Sequence, residues 1–281
     1  MELRSEMKFD IIILAGQSNA EGHGIRTESE KEIINERVYQ LVDKNPIFFC
    51  GNEKGETVLN ITIPTEMIID ISRDRKTGDN EYRADLTKTF SEEYIKNGNL
   101  AKDRNLLIVK AAVGGTGFML KQWGVGNTLS NRLFEMTDYA LSLNKDNRIV
   151  AFLWHQGEHD VVESPEMQFA ERYEFYFNHF FTQMKAVRAR YADFKFPIIA
   201  GEFVNDWADK HKEPCDAVEK ATRDVCLKIG DAAVVSSDGL LSNDQNIKNG
   251  DDIHFSVNSV YELGKRYYAQ FVNLLEERRN K

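Results

Sequence analysis

Five short runs along the chain are apolar at nearly every position: FDIIIL over 9–14, NLLIVKAA over 105–112, RIVAFLW over 148–154, FPIIAGEF over 196–203 and AAVVSS over 232–237. Runs this short, rich in β-branched residues and lacking polar alternation, suit parallel strands covered on both faces. Between them the apolar spacing changes to three and four, the period of a helix. From Ser164, read as an N-cap with Pro165 at the first helical position, one face collects Ala170, Tyr173, Phe177, Phe180, Met184, Val187 and Tyr191. The last segment repeats the pattern through Val257, Val260, Leu263, Tyr267, Phe271 and Leu274, before EERRNK reads as a solvated tail. Shorter helices are expected over 214–229 and 86–96.

Strand and helix alternating through short connections predict an α/β protein, a central parallel sheet with helices on both faces. The stretch 28–100 is rich in charge and turn residues and reads as an insertion or rim. No repeat, linker or shift of composition divides the chain, so residues 1–281 are expected to form one domain.

Composition narrows the classes. The chain has 281 residues, 42% hydrophobic and 29% charged, enough for a sizeable core without disulfides. A formal net charge of −9 argues against a nucleic-acid partner and against an anionic membrane surface. No apolar run reaches the length of a membrane span. IIILAG is too short for the apolar part of a signal peptide and is preceded by Asp10. Cys50, Cys215 and Cys226 have no metal-like spacing and read as reduced thiols. A cytoplasmic protein is the expectation; a homo-oligomer is compatible with it.

In doubly wound sheets the reactive crevice lies beyond the carboxyl ends of the strands. Four polar groups fall there: Ser18 after the first run, GGTG after the second, HQGEHD after the third, and DDIH before the last helix. A serine hydroxyl attacks only when a base takes its proton, so GQSNA alone is equally a polar turn or a helix cap. GDDIHFS supplies the base. Asp251, three residues before His254, can fold onto its imidazole, fix the tautomer and leave the other nitrogen for Ser18. Asp252 competes as the acid but is less well placed, and an exposed turn with a capping histidine is the bland alternative. The glycines of GGTG can aim backbone N–H groups at an oxyanion; without a following Gly-Lys-Ser/Thr the segment is no P-loop. His155, Glu158 and His159 match the H-x-x-E-H zinc pattern, yet that pattern needs a helix, and Gly157 beside a strand opposes one. As a loop, the same cluster offers the Gln156 amide to an oxyanion and the Glu158 carboxylate as a helper.

Taken in order, GQSN, GGTG, WHQGEHD and DDIHFS resemble the SGNH hydrolases, and the set runs from Gly16 to Ser256. The branch most similar is carbohydrate esterase family six, the acetylxylan esterases, with the sialate O-acetylesterases as neighbours. The resemblance implies a flavodoxin-like three-layer α/β/α fold and removal of acetyl esters from sugars without metal or other cofactor. It implies Ser18 as nucleophile, His254 as base and Asp251 as its partner, with Glu158 as a supporting or rival acid. The oxyanion hole would be the N–H groups of Ser18 and Gly115 with Gln156, which stands where the wider family has asparagine. Asn19 and Trp123 are the expected substrate contacts, Trp123 as a platform for a sugar ring. The expected substrate is an acetylated xylo-oligosaccharide, with a sialate ester as the alternative. A zinc hydrolase and a non-catalytic sugar-binding protein are the rival classes.

Overall fold

The computed structural model describes residues 7–43 and 66–280, and the backbone of 48–51 and 57–60. At its centre is a seven-stranded sheet. Its spatial order is Ala232–Val235, Ile198–Gly201, Arg148–His155, Lys8–Gly16, Arg104–Ala112, Val38–Asp43 and Met67–Ile71. Every neighbouring pair is parallel except the last, where Met67–Ile71 runs antiparallel to Val38–Asp43. The five predicted runs all appear as strands. Taken alone, they have the flavodoxin-like order 2-1-3-4-5.

The first strand explains why both faces must be covered. Phe9, Ile11, Ile13 and Ala15 point into one apolar cluster, Ile12 and Leu14 into the other. This is the two-residue alternation of a pleated strand carried by residues that are apolar on either side. Helices Thr128–Ser142, Phe169–Arg190 and Lys212–Ile229 cover the first face; Thr87–Lys96 and Val257–Arg279 cover the second. The result is the expected three-layer sandwich.

Four details differ from the sequence reading. Residues 28–100 do more than form a rim, since Val38–Asp43 and Met67–Ile71 extend the central sheet. Their polar positions fit strands near the end of the sheet whose faces are only partly covered, which breaks the all-apolar signature. The long helix begins at Phe169, not after Ser164, because Gln168 and Glu171 close a capping box there. Its most buried face carries Tyr176, Phe180, Met184 and Val187, while Ala170 is exposed and Tyr173 and Phe177 lie at its margin. The final helix continues through Arg279, and Arg278 binds Asp231, so EERR is anchored rather than a tail.

The amino end of the first strand is held by charge. Asp10, fully buried, accepts from Arg104 Nε (2.6 Å), Arg148 Nε (2.7 Å) and Tyr94 Oη (2.9 Å). Three adjacent strands and a covering helix thus meet on one carboxylate. Among the described residues no helix is long and apolar enough to cross a membrane. Cys215 and Cys226 are buried free thiols, raised by burial; the Cys50 side chain lies outside the described residues.

Candidate active site

The sheet's carboxyl edge carries a pocket of about 470 Å³ where the chain switches from one side of the first strand to the other. Ser18, Gly115 and Glu158 reach it from the ends of three adjacent strands, and His254 from the loop before the last helix. The first strand ends under tight constraint. Gly16 has φ +140°, and a Cβ there would sit 1.9 Å from the His155 carbonyl oxygen. Only glycine lets the chain turn so close to its neighbour and present Ser18 at the start of the one-turn helix Ser18–Glu21.

Ser18 and His254 line the same pocket. Asp251 Oδ1 lies 2.7 Å from His254 Nδ1, and Asn243 Nδ2 donates to the other carboxylate oxygen (2.9 Å). Burial alone would raise the Asp251 carboxyl, but the bonds from His254 and Asn243 outweigh it and hold the group below the ordinary carboxylate range. Asp252, the competing acid, pairs with Lys210 instead.

The backbone N–H groups of Ser18 and Gly115 have no acceptor among the described residues. The N–H of Gly114 is taken by Glu21 Oε2 at 3.1 Å. Gln156 does not reach the pocket. Its Nε2 donates to Asp160 Oδ2 (2.6 Å) and Thr116 O (3.3 Å), so both amide hydrogens are spent inside the protein. Gln17 is the amide that faces the pocket. Its Oε1 accepts from His159 N (3.1 Å), which leaves Nε2 without a partner among the described residues.

Trp123 does not serve as a sugar platform. It is fully buried, edge-on to Trp154 at 5.0 Å, with Nε1 donating to Thr116 Oγ1. Trp154 and Trp207 are buried as well. Asn19 is also spent internally: Nδ2 donates to Glu158 Oε1 (2.7 Å) and Ile253 O (3.1 Å), and Oδ1 accepts from Phe255 N (3.2 Å). It is not a substrate contact here.

The zinc arrangement does not assemble. His155 is fully buried; Tyr267 gives its only hydroxyl hydrogen to Trp154 O, so the His155 Nδ1–H must donate to that hydroxyl. His155 Nε2 is then a bare acceptor, 3.8 Å from Glu158 Oε1, and burial holds the ring neutral with a pKa lowered to about 3. His159 turns outward to Glu163. Among the described residues no three His, Cys, Asp or Glu side chains converge as metal ligands. Burial raises the Glu158 carboxyl even against the bond from Asn19.

The sequence reading missed one wall. Glu21 Oε1 pairs with the half-exposed Arg75 (2.9 Å), and Glu21 Oε2 lies 3.3 Å from His23 Nε2. His23 and Arg75 come from a small antiparallel sheet and its approach, which have no run strong enough to stand out. The signal that could have found this wall is Glu21 with His23, close behind Ser18 in the same stretch.

A family model described as carbohydrate esterase, sialic acid-specific acetylesterase, matches residues 8–273. The chain belongs to this family. It is therefore a carbohydrate esterase, a carboxylic ester hydrolase with an SGNH-like fold. Solved structures agree on the fold of this esterase. NanS superposes with a TM-score of 0.72 at 16% identity, covering 98% of each chain. An Arabidopsis thaliana protein gives 0.63 at 18% identity, over 95% of this chain and 98% of its own. A carbohydrate acetylesterase from Xanthomonas citri gives 0.58 at 15% identity, over 93% of this chain and 55% of its own. No curated protein sequence matches the esterase significantly.

Proposed function

We propose that this esterase removes O-acetyl groups from a sugar by two-step acyl transfer through Ser18, His254 and Asp251. The observation that carries the proposal is the shared pocket of Ser18 and His254, with Asp251 bonded at 2.7 Å to the far ring nitrogen. Held this way, Nδ1 keeps its hydrogen and Nε2 is the basic nitrogen. Ser18 Oγ attacks the acetyl carbonyl carbon while its proton passes to Nε2. The tetrahedral intermediate collapses, the bond to the sugar oxygen breaks, and His254 returns the proton to that oxygen. Water then attacks the acetyl-serine by the same route and acetate leaves.

The negative charge on the carbonyl oxygen needs donors already in place. The uncommitted N–H groups of Ser18 and Gly115 support that role, and the free Gln17 amide supports a third place. Gln156, with both hydrogens engaged, is assigned instead to supporting the loop.

Two readings of the sugar compete. No Trp, Tyr or Phe is among the described residues lining the pocket, so a xylo-oligosaccharide would find no stacking platform. The ionic wall of Glu21, His23 and Arg75, with the family's sialic acid-specific description, favours an acetylated sialic acid. Rates on O-acetylated sialic acid and on acetylated xylobiose separate the readings: a higher kcat/KM on the xylobiose ester overturns the choice. Ser18→Ala should be nearly inert on 4-nitrophenyl acetate, and retention of most activity would overturn the nucleophile.

A further inference from the structure

We infer that Asn19 and Glu158 form a positioning pair that holds His254 in register with Ser18, Asn19 as the clamp and Glu158 as its anchor. The inference rests on the Ser18–His254 reading given above. Asn19 follows Ser18 directly in the one-turn helix. Its side chain grips the peptide groups on both sides of the histidine: Nδ2 donates to Ile253 O at 3.1 Å, and Oδ1 accepts from Phe255 N at 3.2 Å. Asp251 fixes how the imidazole is turned. Asn19 fixes where the backbone that carries it lies. A single amide thus couples the serine segment to the histidine segment across more than two hundred residues of chain.

Glu158 decides which way the amide faces. Its Oε1 accepts the second Nδ2 hydrogen at 2.7 Å, and the residue is fully buried. Were the amide reversed, Oδ1 would face two acceptors and Nδ2 would face the Phe255 N–H. Only one orientation satisfies the Asn19 amide and the three groups it meets, and leaving buried polar groups unpaired is costly. Glu158 makes no hydrogen bond to His254, and its geometric hold on the histidine segment runs through Asn19. Its other oxygen, Oε2, has no partner among the described residues. The histidine loop has further ties, Asn243 N to His254 O at 2.8 Å and Ser256 N to Leu241 O at 2.9 Å. Loss of the clamp should relax the alignment rather than unfold the loop.

The test is a set of variants assayed at saturating and limiting 4-nitrophenyl acetate, with thermal melts alongside. Misplacement of a reacting group by about 1 Å costs on the order of 10²-fold in rate. Glu158→Ala and the isosteric Asn19→Asp should each lower kcat at least about tenfold with KM within about twofold. Glu158→Gln still offers Oε1 to Asn19 and should lose no more than about threefold in kcat. If Glu158→Ala melts early, Asn19→Asp and Glu158→Gln carry the comparison. A Glu158→Gln variant as slow as Glu158→Ala would overturn the anchor, because the carboxyl itself would then be required. A tenfold rise in KM at unchanged kcat would overturn the clamp in favour of direct substrate contact. Wild-type kcat in Asn19→Asp would do the same. Ser18→Ala, made in parallel, reports separately on the underlying reading.

Discussion

The imidazole of His23 lies stacked on that of His254, ring centroids 4.3 Å apart and planes 27° from parallel. Beyond His23 sits Glu21, which Arg75 and the Gly114 N–H also contact. The pocket thus holds two acid–histidine pairs face to face, one beside the serine motif and one near the carboxyl end of the chain.

This stacking sets a pH prediction. Burial lowers the pKa of His23, and the neighbouring His254 and Arg75 lower it further against the pull of Glu21. Glu21 would be raised by its burial, but His23, Arg75 and the Gly114 N–H outweigh that and hold it below the usual carboxylate range. In His23→Phe the stacked ring remains while Glu21 loses a donor. The Glu21 carboxyl should therefore titrate at higher pH in this variant than in the wild type, followed through its side-chain NMR resonance; an unchanged or lower titration point would contradict the electrostatic argument.

Asp251→Asn replaces an acceptor-only carboxylate with an amide whose NH2 can face His254 Nδ1, so the tautomer is no longer fixed. Loss of this group in a serine triad costs on the order of 10⁴-fold in kcat. A loss of that order, with an unaltered melting curve, is expected here. A loss of tenfold or less would shift the role to another acid.

The two glutamines should behave oppositely. Gln17→Ala removes a pocket-facing donor and should cost about 10²–10³ in kcat. Gln156→Ala strips partners from buried Asp160, Tyr176 and Thr116. It should instead cost about 1–3 kcal/mol of stability, read as a fall in Tm. Kinetics and melting on both proteins check the pair together.

At the far end of the first strand, Asp10→Asn should separate stability from activity. It leaves Arg104 and Arg148 without their shared carboxylate, a loss of about 3 kcal/mol. The carboxyl end of that strand is roughly 20 Å away at the usual rise per residue. Denaturant unfolding should show the deficit while kcat of the folded protein stays near wild type.

Much of this was legible in the chain. Ile11 to Ala15, Leu106 to Val109 and Ile149 to Leu153 announce themselves because strands buried on both faces must be apolar throughout. Glycine-bounded strand ends then place Ser18, Gly115 and Glu158 on one edge, and the three-residue spacing of Asp251 and His254 brings them into contact. Burial of polar side chains was not legible. Nothing in the letters tells that Gln156 spends its amide on Asp160, that Asn19 turns inward, or that Trp123 packs on Trp154. Those outcomes depend on which partner happens to be nearest in space. Met67–Ile71, at the edge of the sheet, and its neighbour Val38–Asp43 escaped because their faces are only partly covered and keep polar residues.

The grip of Asn19 on residues 253 and 255 has a bearing on synthesis. Ser18 is translated more than two hundred residues before His254. Under the proposed triad, a nascent chain that stops short of the histidine segment should hydrolyse no ester. A fluorogenic ester supplied during synthesis would then report the docking of residues 253–255 onto Asn19.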